Sequence, residues 1–119
     1  MTEEKILIGK RGERIARDYL RAKGFQIIAT NFRCVFGEID IIAKLNQLLI
    51  FVEVKTRSSD RYGAPYEAVN WAKFGNFSRS ARLWSSQYNM GNLSQRLDII
   101  SIVLTNPPIV EHLENIDLA

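Results

Sequence analysis

The stretch from Glu38 to Lys55, EIDIIAKLNQLLIFVEVK, constrains the fold more than any other part of the chain. It holds two runs rich in Ile, Leu and Val, separated only by Leu45-Asn46-Gln47. So short a connection joins neighbouring antiparallel strands, and we expect strands at 38–44 and 48–55. Asn46 tolerates the unusual φ that a tight turn needs. Leu48 to Val52 is unbroken apolar sequence and predicts a buried strand. That strand nevertheless ends in Glu53 and Lys55, which share a face because strand side chains alternate. Alternation also sets Glu38, Asp40 and Ile42 on one face of the first strand, with Ile39, Ile41 and Ala43 on the other. A symmetric closure at 45–47 puts residue 40 across from about residue 52, with Glu53 one step away.

The remaining elements follow from period and punctuation. In 4–23, Ile8, Gly12, Ile15, Ala16, Tyr19 and Leu20 form one arc of a helix that Gly24 stops. FQIIATNF (25–32) predicts a strand, and CVFG a turn. A polar loop covers 57–65. Helical spacing returns over 66–88 through Phe74, Phe77, Ala81, Trp84 and Tyr88, with Gly75 as a place for a bend. RLDIISIVL (96–104) is a further strand, ended by TNPPIV because two prolines cannot continue a ladder. The expected fold class is α/β: a central mixed β-sheet flanked by helices, in one domain over 1–104. The acidic tail, 105–119, is expected either to fray or to form a short edge element.

Hydrophobic residues make up 46% and charged residues 24%, the balance of a globular domain able to build its own core. No stretch has transmembrane length or the pattern of a signal peptide, which makes the cytoplasm the expected location. One cysteine, Cys34, and one histidine, His112, leave no internal disulfide and disfavour zinc. All 16 Lys and Arg fall in residues 1–104 against ten acids, a net +6, while Glu111, Glu114 and Asp117 lie in the tail. The excess suits a polyanionic partner, although solvated charge explains it as well.

For Glu53-x-Lys55 by itself the plain alternative is a surface salt bridge of little worth. Three features count against it. The strand is too apolar for a surface ribbon. Asp40 follows the same alternation on the neighbouring strand. Glu13 lies at the margin of the apolar arc of the first helix. Two nearby carboxylates repel unless a positive charge stands between them. Lys55 supplies one, and a hard divalent ion such as Mg²⁺ or Mn²⁺ would supply two through oxygen ligands. Phosphodiester hydrolysis uses such an ion to neutralise phosphate and acidify water, and a cation to meet developing charge. No Walker loop is present, and no spacing supports Cys34 with His112 as a catalytic pair.

GERIA (12–16), NFRCVFGEIDII (31–42), LIFVEVKTR (49–57), YGAPYEAV with the following Lys73 (62–73) and RLDII (96–100) together resemble the bacterial YraN family. That family is similar to the PD-(D/E)xK nuclease superfamily, with its restriction-endonuclease-like core, and in form to archaeal Holliday-junction resolvases. The likeness spans nearly all of residues 1–104. It departs from the superfamily label where Ile39, not Pro, precedes Asp40. The resemblance implies that Asp40, Glu53 and Glu13 bind metal and serve catalysis. It implies that Lys55 activates the attacking water, and that Arg57, Lys73 and Thr56 meet the nucleic-acid backbone.

The leading expectation is a metal-dependent endonuclease acting on DNA, branched or structured DNA included. A resolvase-type action adds a two-fold homodimer, and no membrane partner is expected. The rival from another class is a nucleic-acid-binding module that keeps the fold without cutting. A third is a protein adaptor that uses the aromatic helix, although the helical spacing of its aromatics favours core packing. Asp98 is expected to hold Arg96 or a site lysine rather than to react. Arg11, Arg14, Arg17 and Arg21 form a basic helix face.

Overall fold

The computed structural model describes residues 2–58 and 71–116, with side chains from Gly75 onward in the second stretch. Its elements are α1 (Glu3–Ala22), β1 (Gln26–Cys34), β2 (Gly37–Leu45), β3 (Leu48–Arg57), α2 (Trp71–Gln87), β4 (Ser94–Val103) and β5 (Ile109–Leu113). The strands form one sheet in chain order. β1, β2 and β3 pair antiparallel, β3 and β4 pair parallel, and β4 and β5 pair antiparallel. α2 lies in the crossover that a parallel pair requires. This is the mixed α/β sheet flanked by helices that the sequence predicts, and it is consistent with a restriction-endonuclease-like core.

α1 is framed by local chemistry. The Thr2 side chain accepts the Lys5 N–H, and Glu3 and Glu4 complement the positive helix start. At the other end Gly24 takes φ +95°. The Gly24 N–H reaches the Arg21 carbonyl and the Phe25 N–H reaches the Leu20 carbonyl, which closes the helix as a Schellman motif.

The sheet separates two cores. On one face Ala16 and Leu20 of α1 pack on Ile41, Ala43, Ile50, Val52, Ile100 and Ile102. On the other, Phe77, Ala81 and Trp84 of α2 pack on Ile39, Ile42, Leu49, Phe51 and Ile99. Trp84 meets Phe51 edge-on at 6.0 Å, so Phe77, Ala81 and Trp84 are core, as their spacing predicts. Exposed Tyr88 stacks on Trp84 at 4.9 Å. α2 runs through Gly75 without division.

Two expectations change. Leu45 pairs Leu48, so the hairpin loop is Asn46-Gln47 alone and the register runs Ile41↔Val52. That pairing ends at Ile41↔Val52, so Asp40 and Glu53 are the next residue on each strand just past it. The alternation expected for β2 slips at Asp40: Ile41 packs with Ala43 under α1, but Ile39 packs with Ile42 under α2. Residues 109–113 join the sheet as its edge strand β5, the second of the two forms expected for the tail. Residues 59–66, which include Gly63, Pro65 and the expected helix start, lie outside the described residues.

Candidate functional site

At the end of β3 the side chains of Val52, Val54 and Thr56 turn toward α1. Strand alternation therefore sends Glu53, Lys55 and Arg57 to the opposite face. Glu53 is buried at 8% exposure, and the Lys55 Nζ lies 3.4 Å from its Oε1. Arg57, half-buried, donates from Nη2 to the Ser101 Oγ at 3.4 Å. One column of β3 thus carries acid, base, base.

Asp40 occupies the slip in β2. Its Oδ2 accepts the Val54 N–H at 2.8 Å, so a side-chain carboxylate takes an acceptor's place where the regular β2–β3 pairing stops. The bond fixes the carboxylate beside Glu53. Burial pushes the Asp40 carboxyl up to about 7; the charges of Glu13, Glu38 and Glu53 add to the rise, against the Val54 N–H. The Glu13 carboxyl is also raised, first by burial and then by Glu38, with Arg17 opposing. Four acids from α1, β2 and β3 therefore share one field.

Among the described residues no three His, Cys, Asp or Glu side chains stand close enough to hold one metal ion. Glu13 reaches Asp40 electrostatically without completing a three-acid ligand set. Asp40 and Glu53 are a candidate pair, and one or two carboxylates with water and phosphate suit Mg²⁺. The donor set fits a hard divalent ion on two grounds: all its atoms are oxygen, and the charges of Glu13, Glu38 and Glu53 add to the burial that raises the Asp40 carboxyl.

Thr56 is half-buried, and its side chain faces Gly12 of α1. A Cβ built on Gly12 would fall 1.8 Å from the Thr56 Oγ1, so Thr56 lies under α1 and packs it. Lys73 is in the first turn of α2, and its side chain lies outside the described residues. Cys34 donates to Ser80 of α2, whereas His112 bonds Tyr19 of α1, which keeps the two on different sides of the sheet.

A polar network missed by the sequence reading lies under the C-terminal half of α1. Asp98 is fully buried. It accepts from the Arg96 Nε and Nη2 at 3.0 and 2.9 Å, the His112 Nε2 at 2.7 Å and the Asn115 N–H at 2.9 Å. Burial alone would raise its carboxyl, but the bonds from His112, Arg96 and Asn115 outweigh that and hold it below the usual range. With Nε2 donating, the His112 Nδ1 accepts from the Tyr19 hydroxyl at 3.2 Å, which in turn accepts from Lys23. Asp98 holds Arg96, as expected, and with it pins β5 to α1 and β4. The one signal in sequence was an acid inside an aliphatic strand; its partners lie in the tail, which no periodicity connects to it.

The sequence model of the uncharacterised protein family UPF0102 matches residues 12–102. A UPF0102 protein of Renibacterium salmoninarum is 39% identical over 114 residues, covering 94% of this chain and 97% of the relative. One from Alkaliphilus metalliredigens is 40% identical over 108 residues, covering 91% and 95%. One from Clostridium acetobutylicum is 43% identical over 98 residues, covering 82% and 80%. With a family match that spans all three residues of the Asp40, Glu53, Lys55 set and relatives matched over most of their length, the chain belongs to the UPF0102 (YraN) family.

Proposed function

We propose that the protein is a metal-dependent endonuclease of the PD-(D/E)xK type that hydrolyses phosphodiester bonds in DNA, structured or branched DNA included. The observation that carries this reading is the placement of Asp40 and Glu53 just past the last β2–β3 pair, with Lys55 beside Glu53 and the Asp40 carboxylate anchored to the Val54 N–H. Such a set has little structural use, because like charges side by side destabilise the strands that carry them. The spacing Asp40-x₁₂-Glu53-x-Lys55 is that of the superfamily the sequence resembles.

In this reading Asp40 and Glu53 hold a Mg²⁺ or Mn²⁺ ion. When bound, the ion supplies charge neutralisation at the phosphate and a more acidic water. Lys55 orients that water and meets negative charge developing on phosphorus. Glu13 and Glu38 add the negative potential that favours a cation. Arg57 and Lys73 are proposed backbone contacts, and cutting two strands of a junction would engage a second copy of the chain.

The test is cleavage of duplex, flapped and four-way DNA in Mg²⁺ or Mn²⁺, wild type beside Asp40→Asn and Lys55→Met. Metal-dependent nicking lost in both variants is expected. Cleavage that survives in both overturns the reading. The rival is a nuclease fold that binds nucleic acid without cutting. That rival predicts DNA binding by the wild type with no cleavage on any substrate.

A further inference from the structure

Lys10, Arg11, Arg14 and Arg17 recur on α1 at one-, three- and four-residue spacings, which gathers them along one side of the helix. With Leu7 and Glu13 they line a shallow cleft of about 460 Å³. Glu13 is the one acid in that lining, and it belongs to the field around Asp40. Lys10, Arg11 and Arg14 are exposed and Arg17 is half-buried. Among the described residues none of the four lies within ion-pair distance of an acid, although Arg17 feels the charge of Glu13. Arg21, Lys23, Arg33, Lys55 and Arg96 are each so paired. Like charges at these spacings weaken a helix unless a counter-charge meets them. Lys10 to Arg17 covers about 10 Å of helix axis at about 1.5 Å per residue. One strand of a duplex presents a phosphate about every 3.4 Å of axis, so about three fall within that length.

We infer that this face of α1 is a phosphate-binding surface that lays the nucleic-acid backbone along the helix and past Glu13 toward Asp40. The direction of the strand rests on the nuclease reading; the binding itself does not.

The test uses the full chain carrying Asp40→Asn, with chelator present, so that neither cutting nor metal contributes. Affinity for a short labelled duplex, and for one of its single strands, is followed by anisotropy as salt is raised. Lys10→Gln/Arg14→Gln removes two charges while keeping good helix formers. Its affinity should fall at least about tenfold at low salt. The slope of log K against log salt should flatten by about 1.8 on duplex or about 1.4 on single strand. Arg79→Gln/Arg82→Gln removes equal charge from exposed positions on α2 and should leave the slope nearly unchanged. Equal losses in the two variants, an unchanged slope in the α1 variant, or no binding before substitution would each overturn the inference. Metal titration of the Asp40-intact protein separates the two claims. Metal binding without nucleic-acid binding sinks this inference and leaves the metal site standing. Nucleic-acid binding through α1 without metal binding does the reverse.

Discussion

The Asp40 Oδ2 accepts the Val54 N–H at 2.8 Å, one residue beyond Glu53 and just past the last β2–β3 pair, Ile41 with Val52. A single bond therefore ties the carboxylate of one strand to the backbone of the next. Burial, with the charges of Glu13, Glu38 and Glu53 adding to it, raises the Asp40 carboxyl from 3.8 to about 7.

That shift has a sign. An acid whose folded pKa exceeds its unfolded value stabilises the fold fully below the unfolded pKa, and the contribution is lost as pH rises through the folded one. In metal-free protein, stability should therefore decline between about pH 4 and pH 7 on account of Asp40. Asp40→Asn keeps an acceptor for Val54 and removes the charge. The ceiling on its gain above pH 7 is about 4 kcal/mol; water and relaxation around the charge reduce the expectation to roughly 1–2 kcal/mol. Melting curves against pH in chelator check this. Parallel curves for wild type and variant would contradict it.

Gly12 lets α1 close on the sheet. A Cβ there would lie 2.7 Å from the Thr56 Cβ as well as 1.8 Å from its Oγ1, so rotating Thr56 cannot make room. Gly12→Ala should cost roughly 2–3 kcal/mol in chemical denaturation, against the gain in helix propensity that Ala brings. Thr56→Ser should not rescue it. A neutral Gly12→Ala would show that α1 does not sit as described.

Asp98 should matter to the C-terminal strand more than to chemistry. Asp98→Ala leaves Arg96 and His112 without their buried acceptor and should cost roughly 3–5 kcal/mol. Amide exchange in β5 should quicken first. The Asp98 carboxyl is lowered in the fold, so its contribution is present above about pH 4, the unfolded range, and is lost as pH falls through the folded value. Unchanged protection of β5 in the variant would remove this role.

Lys55 touches Glu53 but its loss should not unfold the strand. Lys55→Met should keep the melting temperature within a few degrees and lower any cleavage by about 10²–10³-fold. Loss of folding in parallel with loss of cleavage would make Lys55 structural.

Much of this was legible in the residues. The period-2 runs around Asn46 give the hairpin, and the spacing of Ile8 through Leu20 gives α1. The slip at Asp40 was not legible, because strict alternation has no term for a carboxylate that displaces a backbone acceptor. An edge element in the tail was legible as one of two outcomes; what fixes it was not, because its partners are far away in sequence: His112 and Asn115 with Asp98, and Glu114 with Lys23 and Arg96. Arg57 and Thr56 are neighbours in sequence but separate by face, one beside Ser101 and the other under Gly12.

The most direct measurement is calorimetric titration of Mg²⁺ and Mn²⁺ into wild type, Asp40→Asn and Glu53→Gln at pH 8, where Asp40 is ionised. The account predicts divalent-ion binding by wild type, with DNA present if phosphate completes the coordination, and its loss in both variants. Binding that persists in both variants, or a wild type that takes up no metal even with DNA, would contradict it.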